Sequence, residues 1–292
     1  MENGIRGFHP YVLFIYYICT GSFIMYFNHP IFLITALILL IIVNVSHDRG
    51  AALKKWTIPL TLMGLMIIVL NPFLVSRGTH ILFYFRGKQV TVEAVIYGTV
   101  MSLSLVTIIM MFVSFNLILN GNKFLYIFSK ILPRTAFLIL LSIRYIPLLK
   151  RRYDEIAAVQ HVRGMTVSGG TLLNRAKNGM SMIKILLTWS LEEAIQTADA
   201  MKARGYGLGK KSSYIPYHMG RQDWGWLVTM LLSFIICIAG GMLGYGKIVI
   251  YPELGPLSLY PLDWVVYVCM IILIAFPLIV EGRELLRWTL LK

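Results

Sequence analysis

The chain of 292 residues is 58% hydrophobic and 14% charged, with a mean hydropathy of +0.73 and a net charge of +14. This balance excludes an ordinary soluble globular protein, and three cysteines set in apolar runs (Cys19, Cys237 and Cys269) exclude a disulfide framework. In a membrane chain a basic excess is interpreted from where it sits, so +14 is no pointer to nucleic acid.

A hydrocarbon core of roughly 30 Å needs about 20 apolar residues to cross it as a helix. Arg6 and the apolar run after it superficially resemble a signal peptide, but no A-x-A-type cleavage site follows, so the run is expected to be retained as a span. In chain order the segments that qualify as spans are 10–27, 30–46, 57–75, 92–119, 224–245 and 263–281. The connection 47–55 carries Arg49, Lys54 and Lys55 against Asp48, which assigns it to the cytoplasmic side. Residues 120–222 hold 16 Lys+Arg against 5 Asp+Glu, and the tail adds Arg283, Arg287 and Lys292. Six spans with both termini inside place all of these on one face, whereas Arg77, Arg86 and Lys88 run against the assignment.

The stretch 132–149, "LPRTAFLILLSIRYIPLL", is apolar, but Arg134 and Arg144 bracket too short a run to span, which fits an interfacial or protein-buried helix. The organisation expected is therefore four spans over 1–119, a cytoplasmic block over 120–222, and two spans with a cytoplasmic tail over 223–292. The apolar segments hold almost no ionisable groups, with Glu93 at one rim and Asp263 at another, and there is no inverted repeat. Both features argue against an ion-coupled carrier that works alone.

Two long helices are expected in the block, from about Arg134 to Arg163 and from about Leu172 to Arg204. On the second, Leu187, Leu191, Ala194, Ala198 and Met201 recur at helical spacing and predict an apolar contact face. Glu192, Glu193, Gln196 and Asp199 are expected on other faces, and Ala194, Ala198 and Ala203 would allow another helix to approach closely. Both helices stop at Arg-Gly, as Arg163-Gly164 and as Arg204-Gly205, each followed by a bulky residue, Met165 or Tyr206. Capping explains a glycine just past a helix end and favours a cation in the last turn. It does not explain the repetition. A planar guanidinium at a helix tip is suited to entering a groove on a partner and pairing there with carboxylates or carbonyls.

Other motifs are weaker. Gly241 to Lys247 matches G-x-x-x-x-G-K, but Ile248 stands where a magnesium-binding Ser or Thr is required, and the stretch ends a span instead of opening a helix after a strand. The glycines at 205–209 read as a flexible exit from the second helix, the histidines are scattered, and Asn44-Val45-Ser46 is a formal glycosylation sequon at a membrane boundary.

"LNPF" at 70–73, the run 132–164 ending in "HVRG", and "ADAMKARGYG" at 198–207 together resemble the transmembrane T component of energy-coupling factor transporters, of the cobalt-transport transmembrane protein family. The resemblance covers most of the chain and implies an all-α, polytopic membrane protein of about six transmembrane helices plus a cytoplasmic pair of amphipathic coupling helices. It further implies a non-enzymatic scaffold in an ATP-driven importer of a vitamin or transition-metal ion. Its partners would be two cytoplasmic ABC ATPase subunits, which would bind ATP and Mg, a membrane substrate-binding (S) subunit and the bilayer, with no nucleic acid and no cofactor on this chain. The ATPase-coupling residues it implies are Arg163 and Gly164 at the first end and Ala203, Arg204 and Gly205 at the second. Val162 stands at the first end where the family has a small residue. The rival expectations are a membrane-embedded lipid or isoprenoid enzyme and a membrane anchor for another cytoplasmic protein.

Overall fold

The computed structural model describes residues 4–48, 50–75, 77–85, 88–164, 169, 171–209, 217–251, 254–255 and 258–290. Met165, Arg49, Arg86 and Lys292, which entered the sequence reading, lie outside the described residues. The helices are α1 (Pro10–Tyr26), α2 (Pro30–Asp48), α3 (Ala51–Leu74), α4 (Val92–Ile118), α5 (Gly121–Ile131), α6 (Pro133–Val162), α7 (Leu172–Ala203), α8 (Arg221–Met242) and α9 (Pro261–Leu290). A short hairpin of β1 (Ile81–Phe85) and β2 (Lys88–Thr91) joins α3 to α4. The chain forms two compact units, Met1–Phe124 with Tyr217–Lys292, and Leu125–Pro216.

In the first unit, α2, α3, α4, α8 and α9 contain segments long and apolar enough to cross a membrane, and α1 is a shorter apolar helix of 17 residues. The fold is all-α and polytopic, as expected, with five such helices and α1 in place of an even six. The connection expected over 47–55 is mostly helical. Asp48 ends α2 and its carboxylate accepts from Ala52 N (2.9 Å), so α3 begins at once and Lys54 and Lys55 lie in its first turns.

The sequence sets each start locally. Pro10 and Pro133 occupy first-turn positions, where a missing N–H costs nothing. Thr91 and Thr171 cap α4 and α7 through their hydroxyls.

Where spans meet, aromatic rings and small residues do the packing. Phe23, Phe27 and Phe32 form a buried cluster, with the Phe23 and Phe27 ring centres 4.3 Å apart. Tyr16 donates to Ile274 O (3.2 Å), which satisfies its hydroxyl inside the bundle. Gly64 lets α3 approach α4 so closely that Ser102 Oγ reaches Gly64 O at 3.0 Å. Cys19 and Cys237 are buried and Cys269 half-buried, all three unpaired, as packing residues would be. The outward faces remain apolar; Ile58 and Leu62 of α3 are 76% and 72% exposed, the ordinary exterior of a helix in hydrocarbon.

The 240–247 stretch is structural. Gly240 and Gly241 lie where a β-carbon would run into Val266 and Tyr26, and Lys247 sits over the Tyr26 ring, 4.0 Å from its centre.

In the second unit, α6 and α7 follow the boundaries that the sequence predicts. Of the apolar face expected on α7, to lie against the membrane face or the partner helix, Met201 turns toward α6 and the other four residues do not. Leu187 and Leu191 are 59% and 67% exposed, and Ala194 and Ala198 are exposed with them. The face turned inward carries Met182, Leu186, Trp189, Ser190, Glu193, Thr197 and Met201. Glu193, expected on an outer face, therefore belongs to the inner one. The physical reason is that α6 offers polar and cationic partners, Tyr145 and Arg152, to Thr197 and Trp189.

Candidate coupling site: two arginine-tipped helix ends

The two ends are built alike. Arg163 closes α6 with φ −78° and ψ 5°, and Arg204 closes α7 with φ −82° and ψ 8°. The next residue is in each case a glycine in the left-handed region, Gly164 at φ 78° and Gly205 at φ 79°. Gly164 N donates to His161 O (3.0 Å); Gly205 N donates to Lys202 O (2.9 Å) and Tyr206 N to Met201 O (3.0 Å), the paired bonds of a Schellman cap. A β-carbon on Gly164 would meet nothing within 4 Å, and one on Gly205 only Leu208 Cδ1 at 3.6 Å. The backbone angle, not lack of space, requires glycine here.

The same cap occurs at the end of α8 without an arginine. Leu243 occupies the capping position there, Gly244 has φ 90°, and Gly244 N and Tyr245 N donate to Gly241 O (3.2 Å) and Gly240 O (3.0 Å). Backbone and glycine alone thus complete the turn, which leaves Arg163 and Arg204 unemployed by it. Both side chains are exposed, and among the described residues neither makes a hydrogen bond or ion pair. By contrast, Arg152 in the middle of α6 is engaged twice, with Glu155 Oε2 (2.7 Å) and over the Trp189 ring at 4.3 Å.

Three contacts fix how the helices run. Phe137 stacks on Tyr206 (5.1 Å between centres), Tyr145 Oη donates to Thr197 Oγ1 (3.1 Å), and Arg152 covers Trp189. Moving forward along α6 therefore means moving backward along α7, so the pair is antiparallel. Arg204 lies near the start of α6 and Arg163 at its finish. From Phe137 to Arg163 a helix rising 1.5 Å per residue covers roughly 40 Å. The residues singled out in the sequence do not converge on one site. Arg163-Gly164 and Ala203-Arg204-Gly205 sit at opposite ends of one helical bar.

The stacking of Phe137 on Tyr206 was not legible in advance, because both lie in segments whose apolar periodicity alone gives no pairing. Val162, the departure from a small residue at the first end, is 87% exposed, so its bulk meets no obstacle within this chain. "LNPF" acts elsewhere. Asn71 Nδ2 donates to Ala94 O (2.9 Å) and Pro72 is buried, so the motif ties α3 to the first turns of α4.

The model of the family described as cobalt transport protein (CbiQ) matches residues 2–215. That interval runs from the first spans through both arginine-tipped helices. Among curated proteins, the chain is 24% identical over 213 residues to the energy-coupling factor transporter transmembrane protein EcfT of Staphylococcus aureus, covering 69% of this chain and 77% of that one. It is 32% identical over 177 residues to the protein of the same description from Acidaminococcus fermentans (55% and 66%), and 30% identical over 177 residues to that of Clostridium kluyveri (57% and 66%). Apolar helices of spanning length, the arrangement of the block and these likenesses agree that the chain is a multi-pass membrane protein of the cobalt transport protein (CbiQ) family, the family of energy-coupling factor transmembrane components.

Proposed function

We propose that this chain is the coupling scaffold of an ATP-driven importer, in which Arg163 and Arg204 each enter a groove on one of two cytoplasmic ABC ATPase subunits. ATP and Mg are bound by those subunits, and this chain has no catalytic role of its own. Movement of the ATPases shifts the α6–α7 pair, which passes it to a membrane subunit that holds a vitamin or a transition-metal ion. Both termini and the 125–216 unit face the cytoplasm in this reading, which the basic excess over 120–222 supports.

One observation carries the proposal. Two helix ends share the same left-handed glycine and its bond back to the helix, and among the described residues each displays a charged, planar and otherwise unengaged guanidinium that the turn does not use. The name of the curated relatives, transmembrane protein of an energy-coupling factor transporter, supports the same reading. The outward apolar face of α7 (Ile183, Leu187, Leu191 and Ile195) gives the substrate-binding subunit or the bilayer a surface to meet.

The test is co-purification with the ATPases and substrate uptake for Arg163→Glu, Arg204→Glu and the double variant. A charge-assisted contact contributes about 1.5–3 kcal/mol, so each single reversal should weaken ATPase association roughly 10- to 100-fold and the double should abolish uptake. Arg204→Lys should recover only part, because lysine lacks the fork that pairs with two acceptors at once. A double variant that assembles and transports normally would sink the proposal.

A further inference from the structure

The hairpin β1–β2 has a rigid base and a blade whose described β1 side chains are exposed. At the base, Thr91 Oγ1 donates to Arg77 O (2.7 Å) and Val92 N donates to His80 O (3.0 Å). The buried Glu93 carboxylate accepts from Thr79 N (3.3 Å), Thr79 Oγ1 (3.1 Å) and His80 N (3.0 Å). No linker separates β2 from α4, so the strand runs directly into a membrane-spanning helix.

On the blade, Ile81, Leu82, Phe83 and Tyr84 are 43%, 55%, 50% and 64% exposed. The pairing is irregular between Ile81 and Phe83, but Phe83 and Tyr84 pair in register with Val90 and Gln89 and so point to opposite faces, each presenting a large aromatic side chain. A protein docking on one face would leave the other in water. A surrounding medium covers both.

The depth of that medium follows from the backbone. A two-stranded ribbon has unpaired N–H and C=O groups along its edges, which the hydrocarbon core does not tolerate and the hydrated headgroup layer does. The ribbon is attached where α3 ends and α4 begins, at the level where the bilayer itself ends. Aromatic side chains such as Tyr84 favour that layer. The sequence from 75 to 92 contains Arg77, Arg86 and Lys88 and no acidic residue. Of these cations, which oppose the charge rule, Arg77 is exposed, and a lipid phosphate would answer it.

We infer that the β1–β2 hairpin lies in the lipid headgroup layer at the membrane face where α3 ends, and binds anionic phospholipid there. This does not depend on the coupling role of Arg163 and Arg204.

The experiment uses the full chain, with Cys19, Cys237 and Cys269 replaced by alanine, in phosphatidylcholine nanodiscs containing phosphatidylglycerol. Nitroxide labels are placed singly at Phe83→Cys and Tyr84→Cys, on opposite faces, and at Leu208→Cys as the aqueous reference, a site that is 90% exposed. Both hairpin labels should show a higher ratio of oxygen to nickel-chelate collisions than the label at 208, because oxygen concentrates toward the bilayer while the chelate thins out from bulk water into the headgroups. A collision ratio at either hairpin label as low as that at 208 would overturn the placement, and exclusion of both reagents would replace lipid by a protein partner. For the charge, Arg77→Gln with Lys88→Gln should reduce the phosphatidylglycerol enrichment of co-purified lipid roughly fivefold or more. Unchanged enrichment would overturn the lipid preference, with the label at 84 showing in the same sample whether the hairpin is still seated.

Discussion

In the membrane unit the carboxylates Glu93, Asp223 and Asp263 are each buried, and each accepts backbone N–H groups from a neighbouring loop. Between α6 and α7, among the described residues, the polar cross-links are one tyrosine–threonine hydrogen bond and one guanidinium over an indole. The first unit locks its connections with charge-assisted bonds to buried carboxylates, which are stronger than neutral ones. The second holds two long helices with few ties and leaves its most apolar side chains outside. The difference is that between a unit whose connections are locked by its own carboxylates and one whose two long helices share few polar ties.

Breaking a lock in the first unit should have the largest effect on stability. Asp263 accepts from Gly246 N (2.7 Å) and Tyr260 N (2.8 Å), so Asp263→Ala leaves two donors unanswered and should cost about 3 kcal/mol, read as a lowered thermal midpoint in detergent. In the second unit, Gly205→Ala forces a side chain into the left-handed region and should cost about 1 kcal/mol. Arg204→Ala should leave the melting of the same unit nearly unchanged while ATPase association falls. If instead the two substitutions were equally destabilising, the arginine would be a capping residue after all. Trp189→Ala removes the ring beneath Arg152 and should cost about 0.5–1 kcal/mol; a larger loss would show that α6 and α7 are more tightly joined than their contacts indicate.

The smallest effect concerns pH. Burial holds the His29 imidazole below its ordinary value of 6.5, and the Asp263 carboxylate only partly opposes this. The folded state therefore prefers neutral His29 and the unfolded chain takes up the proton first. Stability is complete above about 6.5 and declines as pH falls through that value toward the depressed one. His29→Gln should flatten the dependence of the thermal midpoint between neutral and mildly acid pH, and an unaltered slope would assign the dependence to other groups.

Much of this architecture was legible in the residues. The limits of α6 and α7 follow from Pro133, Thr171 and the two Arg-Gly stops, because caps and glycines act locally. The inner face of α7 was not legible. Apolar periodicity identifies the greasiest face, and in water that face turns inward; on Leu187 and Leu191 it turns outward, toward whatever the helix meets. The hairpin was hidden for a related reason, since "ILFYF" at 81–85 looks like a ragged edge of a span until β2 pairs with it. The role of Asn71 and the clamp made by Glu93 need tertiary contacts that no local pattern encodes. The paired arginine ends were visible because repetition is a property of the sequence itself. Their placement at opposite ends of one bar was not.

That placement has a mechanical consequence. A lever held at a single point can only be pushed or pulled, whereas a rigid rod held at both tips distinguishes between common and opposed motion of its holders. Opposite displacements of roughly 5 Å at the tips of a rod about 40 Å long turn it by about 15°, while equal ones carry it sideways without turning. The antiparallel course of α6 and α7 thus makes the pair a differential gauge. In the proposed coupling role, its angle would report how far the two grips have slid past one another across its length, whatever drift they share.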